Sequence, residues 1–205
     1  MQKGKYILLE GGEGLGKDYQ ASLLVPWLID RGYEVMETKE PGGTFESDQI
    51  REILLKKQNN LDPLTELFLY EAARRDLNQK IIIPSVEQGK IVISKRGFPS
   101  THAYQGFGGS TNIEIIDKLN RIAMRNLIPD LIFIFDGDPE KGLKKETNPD
   151  RFAAKGLEYH NRVREGYLDF AKRYSNISQI IPYQEGKPEL MQIQMRDILK
   201  NKLKL

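Results

Sequence analysis

Cysteine is absent from the 205-residue sequence, which excludes disulfide staples and thiol catalysis. Histidine is scarce as well: His102 and His160 alone could offer imidazole, so a zinc centre is not expected. Charge of one sign is also missing. The 31 basic residues nearly cancel the 29 acidic ones, leaving a formal +2, so any cationic surface must be local and nucleic acid is not the expected partner. No apolar run approaches the roughly 18 residues that cross a bilayer, and no membrane partner is expected. The opening residues 1–4 lead straight into a strand-like run without the apolar core of a signal peptide, so a cytoplasmic protein is expected. Repeats and low-complexity linkers are lacking too; the one polar, proline-containing stretch of note covers residues 144–150. What remains is an ordinary globular composition at a length that suits one α/β domain with a sizeable core.

Tyr6-Ile-Leu-Leu is a short apolar run ending in glycines, as a strand buried on both faces would be. After Gly16, apolar residues fall at helical spacing at Leu23, Leu24, Trp27 and Leu28. Similar strands are expected at residues 33–38, 91–94, 131–135 and 177–181, each separated by segments of helical periodicity. Such alternation implies α/β architecture: a three-layer, doubly wound, parallel five-stranded sheet. Ligands of these sheets collect at the carboxyl ends of the strands, which sets residues 10–17, 39–44, 95–100 and 136–138 on one rim.

Gly11, Gly12, Glu13, Gly14, Leu15, Gly16 and Lys17 match G-x-x-x-x-G-K between the first expected strand and helix. Glycines let successive N–H groups turn inward around phosphate oxygens, the helix start adds its positive dipole end, and Lys17 reaches the outer phosphates. The pattern then departs from the common form. Asp18 stands where a Ser or Thr hydroxyl normally holds Mg²⁺. A guanine-specific switch protein is disfavoured, because Thr38-Lys39-Glu40-Pro41 does not supply the aspartate of its base-reading string.

Read together, Leu9-Glu-Gly-Gly-Glu-Gly-Leu-Gly-Lys17, Thr38-Lys-Glu-Pro-Gly-Gly-Thr44, Ser94-Lys-Arg96 with Ser100, Ala103-Tyr-Gln-Gly106, and Asp150-Arg-Phe152 resemble the thymidylate kinase family over nearly the whole chain. The resemblance implies a P-loop fold of the nucleoside monophosphate kinase type. It places an ATP site opposite an acceptor pocket for dTMP, a short mobile lid at about residues 141–155, and a homodimer. It carries acceptor roles to Arg96 and Arg74, whose planar forks suit a phosphate and the polar edges of a nucleotide. Tyr70 takes the place of a ring against the base, Ser100 and Gln105 lie by the base edge, and Tyr104 crowds the sugar. Pro41 shapes the wall between the sites. Glu13 corresponds to a loop carboxylate near the acceptor sugar and the metal. Lys17, Arg96, Glu13 and Arg151, the last as the lid arginine on the transferring phosphoryl group, are the expected catalytic set. Lys141, Lys144 and Lys145 precede Arg151 in the lid segment, where as lysines alone they read as a solvated helix face. His102, alone in a loop, reads as structural or exposed.

Several positions depart from the family near the chemistry: Asp18, Lys95 in place of the aspartate of Asp-Arg, Gly97 in place of an aromatic, Ala153 in place of a lid glutamate, and Lys39 in place of an arginine. Positions 18 and 95 both face the magnesium site in the family, so an Asp18–Lys95 ion pair is expected here. Mg²⁺ is expected from the family, with Asp18 and Glu13 as the residues to hold it. Two other readings stay open: a nucleotide-binding protein that has lost most catalysis, and a kinase for another deoxynucleoside monophosphate.

Overall fold

Short runs rich in β-branched and aromatic residues form strands β1 (Lys5–Gly11), β2 (Val35–Lys39), β3 (Ile91–Lys95), β4 (Leu131–Asp136) and β5 (Ser178–Pro182). In the computed structural model, which describes residues 3–146 and 149–205, they pair in parallel in the order β2-β3-β1-β4-β5. Between them run helices α1 (Lys17–Ile29), α2 (Phe45–Leu55), α3 (Pro63–Leu77), α4 (Ile83–Glu87), α5 (Phe98–Thr101), α6 (Ile113–Met124), α7 (Pro139–Leu143), α8 (Leu157–Arg173) and α9 (Pro188–Leu203). A π-helical stretch links α3 to α4, and another, His102–Gly108, continues α5.

Because side chains alternate along a strand, the central strand feeds two cores. Tyr6 and Leu8 join Val92, Ile132 and Ile134 beneath the His102–Gly108 turn and α8, whereas Ile7 and Leu9 join Ile93, Phe133 and Phe135 beneath α1 and α9. Ile7, Leu8 and Leu9 are fully buried. Burial of such side chains contributes about 1.5–3 kcal/mol apiece.

The chain runs from β1 out to β2, returns to β3 beside β1, then crosses to β4 on the other side. The order thus reverses next to β1, and a crevice opens at its carboxyl end. Most bounds fall close to the sequence expectation, but β2 begins at Val35 rather than at residue 33, after the turn at Gly32, whose φ is +84°. The loop expected around His102 is instead helical. His102 is buried there, with Nε2 2.9 Å from Asp169. No helix among the described residues is long and apolar enough to cross a membrane.

Candidate active site

Strand β1 ends in the glycine loop. Gly16, left-handed at φ +81°, starts α1 without a side-chain cap, whereas Thr44, Asp62, Asn112 and Asp138 cap α2, α3, α6 and α7. The first N–H groups of α1 therefore lack a capping side chain and suit an anion. Lys17 Nζ donates to the carbonyls of Gly11 and Gly12 at 2.9 and 2.5 Å, folding the lysine back over its own loop. Burial and the nearby Arg96 bring its ammonium down to about 8, against the pull of Glu13. Gly14 has no room for a side chain: at φ +65°, a Cβ would lie 2.0 Å from the Gly142 carbonyl oxygen. The loop thus rests backbone to backbone on α7, and the Gly14 N–H also donates to Glu146 Oε1 at 3.2 Å.

Arg96, one residue past β3 and in the left-handed region at φ +69°, is the centre of the site. Its Nη2 lies 2.7 Å from Glu13 Oε1 and 3.2 Å from the Tyr104 hydroxyl, while Nη1 reaches the Tyr167 hydroxyl at 3.1 Å. Tyr104 donates to the same Glu13 oxygen at 2.6 Å. Burial works against the charge on Glu13, but Arg96 and Lys17 outweigh it and hold the carboxyl at about 2. Behind this node stands Glu10, fully buried, accepting from Ser100 at 2.8 Å and Tyr167 at 3.1 Å. Burial pushes its carboxyl up to about 7 against the opposing Arg96, and Oε1 has no hydrogen-bond partner among the described residues.

Glu13, Pro41, Tyr70, Arg74, Arg96, Ser100, Tyr104 and Gln105 line one cleft. Glu13 also lines a second cleft, with Gly12 and Leu15, on the α7–α8 side, so its carboxylate stands between the two. Arg74 reaches the first cleft fully buried, its Nε on Glu40 at 2.7 Å and Nη1 on Glu71 at 2.5 Å and Asn120 at 2.7 Å. Its two carboxylate neighbours raise its already high basicity against the cost of burial, so it presents a fixed planar cation. Phe152 closes the cleft with its ring centroid 6.1 Å from those of Tyr70 and Tyr104.

Arg151, the expected lid arginine, pairs here with a carboxylate of α3. Its Nη1 is 2.5 Å from the buried Glu66 and its Nε donates to the Leu54 carbonyl at 3.1 Å, so it faces α2 and α3 rather than the phosphate loop. Lys141 and Lys145 pair with Glu185, and Lys144 with Glu140, all at the surface. Within the lid segment, residues 147 and 148 lie outside the described residues. Asp150 fixes the turn after it, accepting from the Phe152 and Ala153 N–H groups. At Gly97 a Cβ would lie 2.9 Å from Leu8 Cδ1, so the missing aromatic leaves room for the turn to settle on the core.

The sequence matches the thymidylate kinase family model over residues 9–192. The chain belongs to the thymidylate kinase family. It is 36% identical over 199 residues to a thymidylate kinase of Thermoanaerobacter sp., covering 96% of each chain. A thymidylate kinase of Caldanaerobacter subterraneus is 37% identical over 178 residues, covering 84% of this chain and 86% of the relative. The crystal structure of thymidylate kinase from Ehrlichia chaffeensis superposes with a TM-score of 0.82 at 33% identity, over 97% of this chain and all of that one.

Thymidylate kinases use ATP and typically Mg²⁺, and the geometry decides whether Asp18 and Glu13 can hold the ion. Asp18 Oδ1 lies 2.8 Å from Lys95 Nζ, the ion pair expected from the sequence, and Lys95 also lies 3.1 Å from Glu37. Glu13 Oε1 is taken by Arg96 and Tyr104. No group of three acidic, histidine or cysteine side chains able to hold a metal occurs among the described residues. Mg²⁺ demands near-octahedral oxygen ligation at about 2.0–2.1 Å. The residues present do not fit a protein-held Mg²⁺, and Asp18 and Glu13 act here as partners of cationic side chains. Sequence reasoning missed Glu10, Tyr167, Glu40, Glu71 and Asn120, the groups that hold Arg96 and Arg74 in place, and it missed Glu37. Glu40 lies in the bend after β2 and Tyr167 in the charge-rich α8, so neither stands out as a polar residue in an apolar element.

Proposed function

We propose that this chain transfers the terminal phosphoryl group of ATP to dTMP, giving ADP and dTDP. The observation that carries this reading is the Glu13–Arg96–Tyr104 node, which joins the glycine loop to the cleft lined by Tyr70 and Arg74. The donor phosphates lie on the N–H groups of residues 11–17 with Lys17 at the outer end. Arg96 takes the acceptor's 5′-phosphate, its fork supplying two donors. The base lies against Tyr70 and Phe152, with Arg74 and Gln105 at its edge, and Tyr104 stands by the sugar. Glu13, ionised at any ordinary pH, keeps the Arg96 fork oriented until the acceptor phosphate arrives. Fixed charges of this kind carry most of the catalysis in phosphoryl transfer. Arg151 joins them only if the lid leaves Glu66 and closes over the phosphates.

In this reading the chain works as one domain whose lid covers about residues 141–155, in the cytoplasm and as a homodimer. Support for the homodimer comes from exposed apolar residues on adjacent helices: Phe45 on α2, Phe68 on α3, and Ile115 and Ile122 on α6. Sedimentation at micromolar concentration tests it. The activity is tested by coupled ADP release with dTMP and a panel of other monophosphates. dTMP is expected to be the preferred acceptor. Tight dTMP binding without turnover would favour a protein that only binds nucleotides, and preference for another monophosphate would reassign the acceptor.

A further inference from the structure

Asp18, Lys95 and Glu37 form a run of charges beside the phosphate loop that the reaction above leaves without a role. Lys95 ends β3 in register with Leu9 of β1 and Lys39 of β2, so its ammonium stands between the first turn of α1 and the end of β2. Its two counter-ions are unequal: the Asp18 side chain is 87% exposed, that of Glu37 40% exposed, and that of Lys95 only 22%. An ion pair with so exposed a carboxylate is worth little, and Asp18 can swing into water without leaving Lys95 unpaired, because Glu37 stays at 3.1 Å. A lysine ammonium is a compact point charge with three donors, well suited to phosphate oxygens, and a polyphosphate offers it more negative charge than one carboxylate does. Asp18 directly follows Lys17, so the ammonium it holds is already at the edge of the loop that receives those oxygens.

We propose that Lys95 supplies the positive charge beside the donor's outer phosphates in place of a protein-held divalent cation, with Asp18 as the counter-ion it releases. The chain then recognises metal-free ATP nearly as well as the magnesium complex. This inference rests on the reading of residues 11–17 as the ATP phosphate loop.

Calorimetric titration of the whole chain with ATP, in EDTA and in excess Mg²⁺, tests it, using the unaltered protein, Lys95→Met and Lys95→Arg. The unaltered chain should bind ATP in the two buffers with Kd values within about threefold. Lys95→Met should weaken metal-free binding at least about tenfold but magnesium-ATP binding less than about threefold, and Lys95→Arg should restore most of the loss. Binding of dTMP, whose cleft Lys95 does not line, should be unchanged in both variants, which reports correct folding. A preference of about tenfold or more for the magnesium complex by the unaltered chain overturns the inference, as does an equal loss in both buffers for Lys95→Met. Those outcomes leave the phosphate-loop reading standing, whereas no ATP binding in either buffer overturns both.

Discussion

Replacing Glu10 with glutamine should change how the stability of this protein responds to pH. Glu10 sits at the end of the central strand, fully buried, with Oε2 held by Ser100 and Tyr167 and Oε1 without a hydrogen-bond partner among the described residues. Burial raises its carboxyl from 4.5 to about 7, so the folded state holds a proton there that the unfolded chain has already released. Glu10 therefore contributes stability that is fully present below about 4.5 and is lost as pH rises through about 7. That interval corresponds to about 3 kcal/mol. For a chain of this size it amounts to about 6–12 °C in Tm. Glutamine keeps the acceptor for Ser100 and Tyr167 but cannot ionise. Its own fixed packing and hydrogen-bonding penalty is the same at every pH. Urea unfolding of both proteins at pH 5 and pH 8 isolates the effect, because every other titrating group cancels in the comparison. The variant should gain about 2–3 kcal/mol on the unaltered protein between the two pH values. A gap that stays constant from pH 5 to pH 8 would refute the assignment of a protonated carboxyl behind Arg96.

Arg96→Met should leave Glu13 buried beside Tyr104 without its main counter-ion; losing one partner of such a pair costs about 3–5 kcal/mol, and kcat with dTMP should fall by at least about a hundredfold. Tyr70→Ala should raise KM for dTMP by about tenfold to a hundredfold through lost stacking, with kcat changed much less, as steady-state kinetics can read directly. In Gly14→Ala the new methyl would sit 2.0 Å from the Gly142 carbonyl at a φ of +65°, so ATP binding measured by calorimetry should be lost. Arg151→Met should leave the carboxylate of Glu66, 5% exposed, without its cation, lowering stability by about 3 kcal/mol in urea unfolding. An unchanged midpoint there would show that the Arg151–Glu66 contact contributes nothing.

The phosphate loop was legible because its physics is local: glycines at fixed offsets, a strand before and a helix after. The Asp18–Lys95 pair was legible for a different reason, since the resemblance sets positions 18 and 95 on the same magnesium site. Glu37 was not, because nothing in β2 says which neighbouring strand its side chain will lean toward until Val35 pairs with Ile91. Arg74 was placed at the cleft by resemblance, but the Glu40, Glu71 and Asn120 oxygens that lock it come from three separate segments. The contact that Arg151 makes with Glu66 was not legible for a related reason. A motif names the residue and its segment, while the rotamer follows the strongest nearby charge, and Glu66 of α3 is nearest in this fold.

The sequence alone therefore determined the class of fold, the order of its elements and the presence of a phosphate cradle, all of which depend on periodicity and spacing along the chain. Only the tertiary structure decided how the buried charges are shared. Glu13 shares one oxygen between Arg96 and Tyr104, and Lys95 divides its charge between the expected Asp18 and the unforeseen Glu37. The reason is that charges removed from water must find partners across the fold, and the nearest opposite charge in space has no fixed distance along the chain.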